Sequence, residues 1–229
     1  MLNALTKANI SHANIELSPT NGERFYNAIS KAKGSMPQAN RWMVDVHEKN
    51  EYANRKEYRC YMSKDGKIGY ALHGKDVVSV FNVSGVKGGM ATIMAHAVAN
   101  GGRSLDCFEG MGKSNLPNMY AKFGAKAFGY IPFNHHFEPT GYNQARDGEP
   151  NVVAMVLPKS LNELIKARKD PQEDYKMDTY KSYGEKNEDA AYDRLINARN
   201  EELKQMIKRE QGGGNGIAKG ARRANGSKG

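Results

Sequence analysis

The chain has 229 residues, of which 39% are hydrophobic and 26% charged, so it can bury the core of one sizeable domain and is not wholly disordered. Its formal net charge of +9 favours an anionic partner, a nucleotide cofactor or a nucleic acid, without choosing between them. No apolar run approaches the roughly 18 residues that span a bilayer, and Met1–Ile10 lacks the apolar core of a signal peptide, so we expect an intracellular protein with no membrane partner.

The first predicted helix follows about twenty residues with little periodicity. Asn21, or the threonine before it, can cap the start of this helix, which should run to about Lys33. One apolar face is formed by residues at helical spacing: Phe25, Ala28, Ile29 and Ala32. The next segment, Gln38–Arg55, is ambiguous, because apolar residues alternate over Trp42–Val46 and indicate a short strand or an extended loop.

Three strands with short turns are predicted next. Tyr58–Ser63 and Ile68–Leu72 flank an Asp-Gly turn, and Asp76–Val83 is rich in β-branched residues, so the three strands should form an antiparallel meander. Cys60 and Cys107 both lie in apolar, alternating stretches. Two cysteines without a secretory signal do not predict a disulfide scaffold, and we expect two buried free thiols.

The period changes after the third strand. A glycine-rich turn, Ser84–Gly89, leads into a helix over Met90–Asn100. The following elements are a strand at Arg103–Phe108, a short helix at Asn115–Phe123, a strand at Ala125–Phe133, a polar loop at Asn134–Pro150 and a last strand at Asn151–Leu157. A strand–helix–strand unit within an antiparallel set implies a mixed sheet, so the predicted fold class is α/β with a mostly antiparallel central sheet.

The C-terminal third reads as an appendage to a domain of residues 1–159. Ser160 can cap a helix that ends near Lys169, and Glu185–Gln211 predicts a long charged helix within a helical extension of residues 160–211. Its thin apolar stripe could dock on its own domain or on another subunit. Gly212–Gly229 is predicted to be a disordered basic tail, either a solubilising terminus or a salt-dependent nucleic-acid arm.

The most informative junction joins the strand Asp76–Val83 to the helix that follows it. A helix N-terminus offers unpaired backbone N–H groups and the positive end of the helix dipole. Neighbouring glycines let a phosphate group approach the main chain. The junction therefore suits a pyrophosphate, although glycine-rich turns between a strand and a helix are common and this signal alone is weak.

Here the chain resembles the GCN5-related N-acetyltransferases (GNAT). The family carries a pyrophosphate-binding signature of the form Q/R-x-x-G-x-G/A at this junction. The corresponding residues are Val86, Lys87, Gly88, Gly89, Met90 and Ala91. Gly89 and Ala91 match the last two signature positions, whereas Val86 replaces the usual Gln or Arg. A side-chain contribution to phosphate binding is thereby lost, and Lys87 could supply a charge instead.

A second motif of the family follows the next strand, commonly N-x-x-A-x-x-L-Y-x-K-x-G-F. Tyr120, Lys122 and Gly124 fall in register with it. Asn115 lies closer to the tyrosine than in many members, and Ala125 replaces the usual aromatic residue. The resemblance covers about half of the chain and does not extend to the C-terminal third.

The resemblance implies an acyl-CoA-dependent N-acyltransferase with acetyl-CoA as co-substrate and no metal. Pantetheine would lie between two splayed parallel strands, Asp76–Val83 and Arg103–Phe108, and a backbone N–H of the first would polarise the thioester carbonyl. Tyr120 would protonate the departing thiolate as a general acid. The implied cofactor-binding residues are Phe81, Asn82, Val83, Val86, Lys87, Gly88, Gly89, Met90, Ala91 and Asn115.

The acceptor amine must lose a proton, and the sequence does not single out one base. Asp106 lies on the strand leading toward the site and Glu109 lies just past its end, which makes them the main candidates. Asp76 and His73 are further candidates, and many family members use a chain of water molecules instead. For each carboxylate taken alone, an ordinary solvated or edge position is the simpler interpretation.

The loop that begins with His135, His136 and Glu138 lies in a region that often borders the acceptor site in the family, so it could shape substrate choice. Arg41 and Trp42 could do the same from the N-terminal side, although a buried tryptophan is the simpler interpretation. The histidines and cysteines do not have the spacing of a zinc site, so no metal site is predicted.

Two alternatives to the enzyme stay open. One is a GNAT-like domain that has lost catalysis and acts as a binding or structural protein, because Val86 departs from the signature and the extension is long. The other is a transferase acting on nucleic acid, because the chain is basic. Small amines, antibiotics, peptide N-termini, lysine and nucleobases are all compatible acceptors. The composition is compatible with a phage or mobile-element protein, which would act in the host cytoplasm or the virion.

Overall fold

The computed structural model describes residues 1–54, 56–110, 115–171 and 176–220. The strands are β1 (Ser18–Thr20), β2 (Tyr58–Met62), β3 (Ile68–His73), β4 (Asp76–Asn82), β5 (Ser104–Phe108), β6 (Lys126–Ile131) and β7 (Val152–Val156). The helices are α1 (Leu2–Lys7), α2 (Gly22–Ser35), α3 (Gln38–Arg41), α4 (Lys49–Ala53), α5 (Gly89–Ala99), α6 (Leu116–Ala121), α7 (Gln144–Asp147), α8 (Leu161–Lys169) and α9 (Ala191–Gly220). Short 3-10 turns lie at His135–Phe137 and Met177–Thr179.

Within these residues the strands form one mixed sheet in the order β1-β2-β3-β4-β5-β7-β6. Every neighbouring pair is antiparallel except β4 and β5, which run parallel and are connected through α5. The predicted meander is β2-β3-β4, and the predicted strand–helix–strand unit is β4-α5-β5. The expectation of a mixed, mostly antiparallel sheet with helices is therefore confirmed.

Helices cover both faces of the sheet. The front face carries α1, α5, α6 and α8, whose apolar residues pack with Tyr70, Leu105 and Met155 of the sheet. On the back face, α2 and α4 cover β2 to β4, and Ala191 and Leu195 of α9 pack against β6 and β7. Because side chains alternate along a strand, neighbouring residues of β5 point to opposite faces.

The N-terminal third contains elements that the pattern did not predict. The first twenty residues form α1 and the short strand β1, which pairs with β2 from Ser18 opposite Met62 to Thr20 opposite Cys60. The cap of α2 is confirmed, since the Asn21 side chain accepts a hydrogen bond from the Arg24 N–H at 2.8 Å. The segment after α2 forms α3 and α4 with a loop between them, because a capping box at Glu48 begins a new helix.

The C-terminal third packs on the same sheet. Ser160 caps α8 as predicted, and Leu164 of that helix is buried in the front core. Helix α9 starts six residues later than predicted and runs to Gly220, so it includes the first part of the predicted tail. The rest of that tail, residues 221–229, lies outside the described residues. Both cysteines are buried and free, as expected.

Helix α9 is also tied to the sheet by charge. Arg103, which precedes β5 and is 8% exposed, donates two hydrogen bonds of 3.1 Å to the Glu210 carboxylate. Such a two-point contact fixes the orientation of both side chains. None of the helices in the described ranges combines the length and the apolar character needed to cross a membrane.

Two glycines of α2 provide a test of how this helix packs. A Cβ atom on Gly22 would overlap the main chain of Tyr52 and Ala53, whereas a Cβ on Gly34 would meet nothing within 4 Å. We expect Gly22→Ala to lower the free energy of unfolding by about 1–3 kcal/mol through overpacking. Gly34→Ala should raise it by up to about 0.5–1 kcal/mol, because alanine favours the helix. Urea unfolding measures both changes, and equal effects would contradict this packing of α2 on α4.

Candidate functional site

The parallel strands β4 and β5 meet only where they begin. They share a single paired position, Asp76 opposite Ser104, and beyond it the two strands no longer pair with each other. Past this point the ladder between them stops, although both strands stay paired on their outer sides with β3 and β7. The result is an opening in the middle of the sheet, bordered by two strand edges.

Backbone hydrogen bonds indicate which groups line this opening. The Val83 N–H donates to the Lys67 carbonyl at 2.8 Å, on the β3 side. Because successive residues of a strand direct their N–H groups to opposite edges, the neighbouring Asn82 directs its N–H toward β5. On the other side, the Glu109 N–H donates to the Asn151 carbonyl at 2.8 Å. By the same alternation, Asp106 presents its backbone groups to the edge that faces β4.

A β-bulge interrupts β4 beside the opening. Gly69 pairs with Phe81 and Ala71 pairs with Val78, so two residues of β4, Ser79 and Val80, lie opposite one residue of β3. Ser79 has a φ of 55°, in the left-handed region that non-glycine residues seldom adopt. Such a bulge increases the local twist and redirects the backbone groups of its strand.

The bulge is held by a buried hydrogen bond between the hydroxyls of Tyr52 and Ser79, 2.7 Å apart. The Tyr52 hydroxyl also accepts from the His47 N–H at 3.0 Å. Burial raises the pKa of Tyr52 to about 12, so this hydroxyl stays protonated at neutral pH. Sequence reasoning missed both Tyr52 and Ser79, since neither lies in a recognisable motif.

The glycine-rich turn lies at the end of β4, where the strands are apart. Gly85 and Gly88 have φ values of 70° and 80°, and Gly88 is the N-cap of α5. The Asn82 side chain fixes the turn by accepting from the Ser84 N–H at 3.1 Å and from its hydroxyl at 2.7 Å. The first hydrogen bond of the helix is donated by Thr92 to the Gly88 carbonyl at 3.1 Å.

The start of α5 therefore presents free donors. No acceptor in the described ranges pairs with the N–H groups of Gly89, Met90 or Ala91, as is usual for the first turn of a helix. Val86 and Lys87 are exposed beside them, and Gly89 itself is buried against Asn82 and Ile68.

One side of this turn is covered by the N-terminal segment. A Cβ atom on Gly88 would overlap the backbone of His12 and Ala13. The Thr92 hydroxyl donates to the Ala13 carbonyl at 2.8 Å. This contact has no sequence signal, because it joins residues 79 positions apart.

Tyr120 lies on the front face, on α6 beside Cys107 of β5. Its ring is 6% exposed and belongs to the main core. Burial, with smaller effects of Cys107 and Asp106, raises the pKa of Tyr120 well above its usual range. No residue in the described ranges forms a hydrogen bond with its hydroxyl. Asn115 caps α6 by accepting from the Asn118 N–H at 2.9 Å, and residues 111–114 before it lie outside the described residues.

The two predicted bases have different surroundings. Asp106 is on the back face, where burial raises its pKa to about 6 although Arg199 opposes the rise. The Glu109 carboxylate accepts a 2.6 Å hydrogen bond from the Asn151 side chain. The structure therefore places Asp106 and Tyr120 on opposite faces of β5, which borders the opening.

The other two base candidates, Asp76 and His73, lie near the end of the opening where β4 and β5 are still paired. The Asp76 carboxylate accepts a 2.7 Å hydrogen bond from the buried guanidinium of Arg199. The His73 ring stacks on Tyr58, with ring centroids 4.6 Å apart. Neither side chain borders the separated part of β4 and β5.

Aromatic residues close the back face at the end of β5. The Trp42 ring is 3% exposed and lies 4.9 Å from Phe108 and 5.9 Å from Tyr142, between ring centroids. Tyr142 stacks on Phe133 at 4.7 Å. The structure thus brings together Trp42 and the loop between β6 and β7, which the sequence placed at the same border.

The histidines of this loop contact carboxylates. The His135 ring contacts the Glu138 carboxylate at 2.6 Å and the Glu149 carboxylate at 2.9 Å, and these two groups raise the pKa of His135. His136 contacts Asp189 at 2.8 Å. Among the residues described, no group of three or more His, Cys, Asp or Glu side chains is arranged to hold a metal ion.

Comparison of the chain with protein-family models, with curated proteins and with solved structures found no match. The interpretation of the site therefore depends on its own geometry.

The bulge can be tested by removing one hydroxyl. Tyr52→Phe leaves the Ser79 hydroxyl buried without its partner, so we expect the free energy of unfolding to fall by about 1–3 kcal/mol. Tyr26→Phe is the matched control, since Tyr26 packs near Tyr52 and its hydroxyl has no partner in the described ranges. Urea unfolding of both variants measures the difference, and equal losses would argue against the hydrogen bond at the bulge.

Proposed function

We propose that the chain is an acyl-CoA-dependent N-acyltransferase of the GNAT type, which transfers an acetyl group from acetyl-CoA to an amine. The observation that carries this proposal is the opening between β4 and β5, which pair only at Asp76 and Ser104. An extended, amide-containing chain such as pantetheine can hydrogen-bond to a free strand edge as another strand would. The resemblance at two motifs implies a cofactor in the same place.

The phosphates of the cofactor would lie at the start of α5. The N–H groups of Gly89, Met90 and Ala91 are free, and the positive end of the helix dipole adds to their attraction for an anion. Lys87 is exposed next to them and supplies the charge that Val86 does not. The phosphate site and the opening are adjacent because α5 directly follows β4.

The chemical step would be direct attack by the amine on the thioester carbonyl. The new C–N bond forms a tetrahedral intermediate, and the C–S bond then breaks. A backbone N–H on the open edge of β4, such as that of Asn82, would stabilise the charge on the carbonyl oxygen. Tyr120 would give its proton to the departing thiolate, because its pKa is raised and its hydroxyl is protonated at neutral pH.

Asp106 is the favoured base for the acceptor amine. A carboxyl group with a pKa of about 6 is largely ionised at neutral pH and is still a stronger base than an ordinary aspartate. Its position on the back face, opposite Tyr120, would let the amine approach the thioester from the other side of the sheet. Glu109 is the weaker candidate, since its carboxylate is engaged by Asn151.

A non-catalytic binding protein of the same fold is the second candidate. The observation that favours it is the packing of His12 and Ala13 against Gly88, which narrows the turn where the phosphates would lie. Failure to bind acetyl-CoA would support this candidate over the enzyme.

Binding of acetyl-CoA should raise the melting temperature. A hundredfold excess over the dissociation constant adds about 2.7 kcal/mol of stability by mass action. We expect Lys87→Glu to weaken binding by about fivefold or more, because it places a negative charge beside the phosphates. Lys75→Glu is the matched control, since Lys75 is an exposed lysine at the other end of β4.

Differential scanning fluorimetry and isothermal titration calorimetry check this prediction. The absence of any shift in folded wild-type protein would refute the cofactor site. Equal affinities of Lys87→Glu and Lys75→Glu would exclude the turn as the phosphate site.

Tyr120→Phe tests the chemical step. Loss of a general acid should lower turnover by about 10²-fold or more while acetyl-CoA affinity stays unchanged. Release of the CoA thiol with a panel of primary amines (a polyamine, a lysine peptide, an aminoglycoside) measures turnover. Tyr130→Phe serves as the control, because Tyr130 is a half-buried tyrosine of β6. Wild-type turnover in Tyr120→Phe would remove Tyr120 from the mechanism.

A further inference from the structure

Side-chain contacts hold the loop between β6 and β7, residues 132–151, against the segment that precedes α9. The Lys186 ammonium donates to the Glu149 carboxylate at 2.6 Å. The Asn187 side chain accepts a hydrogen bond from the His135 N–H at 2.9 Å. The loop is thus joined to a part of the chain that is distant in sequence.

The His135 ring lies between two carboxylates of this loop. Its Nδ1 is 2.6 Å from Oε1 of Glu138, and its Nε2 is 2.9 Å from Oε1 of Glu149. A carboxylate only accepts hydrogen bonds, so each ring nitrogen needs a hydrogen atom to make its contact. A neutral imidazole carries one N–H group, whereas the imidazolium carries two. The geometry therefore holds one proton more than a neutral histidine with two carboxylates would.

The charges around the ring balance only when this proton is present. Glu149 accepts hydrogen bonds from Lys186 and, at 2.9 Å, from the Gln144 side chain. With His135 as the imidazolium, two cations face two carboxylates. Without the extra proton, a lone pair of the ring would face a carboxylate oxygen, and the two carboxylates would share one cation.

Further titratable groups come from both segments that pack against His135. On the loop, the Tyr142 ring lies 6.5 Å from the His135 ring, between ring centroids. On the segment before α9, Asp189 contacts the ring of His136 at 2.8 Å. The two carboxylates that contact the His135 ring are the groups that raise its pKa.

We propose that His135, with the Glu138 and Glu149 carboxylates, is a proton-dependent clasp, which holds the loop against the segment before α9 while His135 is protonated and releases it when that proton is lost. The two carboxylates favour the charged ring in the folded state, so the clasp stabilises the closed loop below the ordinary histidine pKa of about 6.5. This stabilisation is lost as the pH rises through the raised pKa of His135.

The clasp lies beside the aromatic residues that cover the end of β5. The His135 ring packs edge to face with Phe133 at 5.1 Å, and Tyr142 stacks on Phe133 at 4.7 Å. Tyr142 also lies 5.9 Å from Trp42, which packs on Phe108 of β5. Release of the loop therefore loosens the cover over Trp42. This consequence does not depend on the proposed acyltransferase function.

Trp42 is the single tryptophan of the chain, so its fluorescence reports on this cover. We expect quenching of the fluorescence by acrylamide to increase by about twofold or more between about pH 6 and about pH 9, because the released loop no longer shields the ring. The midpoint of this increase should coincide with the titration midpoint of the His135 ring, measured by NMR and assigned with His135→Phe. Unchanged quenching, or a midpoint that differs from that of His135, overturns the proposal.

Glu138→Gln separates the extra proton from the contact itself. An amide can donate to the neutral ring, whose one N–H group then serves Glu149, so both contacts persist without the extra proton. Quenching in Glu138→Gln should therefore stay low at both pH values. His135→Phe removes both contacts and should show high quenching at both. A rise of wild-type size in Glu138→Gln would contradict the clasp.

His12→Gln is the matched control, because the His12 ring contacts the Ile10 carbonyl at 2.8 Å, outside the loop. This variant should keep the wild-type response, and its loss there would also contradict the clasp. If His135→Phe does not fold, Glu138→Gln decides by the same criterion. None of these measurements uses acetyl-CoA, so a failure to bind acetyl-CoA refutes the acyltransferase alone, and quenching that is independent of pH refutes the clasp alone.

Discussion

A parallel pair of strands that meets at one register point, Asp76 with Ser104, leaves backbone donors and acceptors unpaired near the middle of the sheet. Unpaired backbone groups are costly when they are buried, so water or a ligand must satisfy them. Both strands nevertheless stay paired on their outer sides, with β3 and β7. The bulge interrupts β4, the glycine-rich turn follows it, α6 packs beside β5, and Arg199 of α9 contacts both strands.

The buried guanidinium of Arg199 contacts both β4 and β5 close to the position where the two strands are still paired. Burying a charge is costly unless it is paired and hydrogen-bonded, and here a carboxylate, a carbonyl and an amide oxygen surround the cation. Such a network favours one arrangement of α9 on the sheet over any that would leave the charge unpaired. Removing one partner is therefore more disruptive than the net strength of the pair would indicate.

The two faces of the sheet divide the proposed chemistry. Tyr120 is held in an apolar environment that keeps its hydroxyl protonated, while Asp106 is held among charges that keep its pKa only moderately raised. Strand β5 takes part in both environments because its side chains alternate between the two faces: Asp106 lies on the back face, and Cys107 packs beside Tyr120 on the front face. In the proposed mechanism, a proton donor and a proton acceptor thus act at the same opening from opposite faces of the sheet.

Local interactions explain why much of the fold followed from the sequence. Alternation over Tyr58–Val83 and helical spacing over Met90–Asn100 specify their elements directly, and the caps at Asn21 and Ser160 act within three residues. The three-residue strand β1 has too few residues for a period and depends on pairing with β2. Of the candidate site, the glycine turn and Tyr120 were predicted because they fall in short motifs.

Only the tertiary structure decided the separation of β4 from β5, the left-handed backbone at Ser79 and the position of Arg199. The separation depends on how far the hydrogen-bond ladder between β4 and β5 continues. The backbone at Ser79 depends on a buried hydrogen bond to Tyr52, a residue 27 positions away. Arg199 reads in the sequence as one more charge on a polar helix, and it meets Asp76 across 123 residues. Sequence patterns report the periodicity of single elements, whereas these features arise from contacts between elements that are distant in the chain.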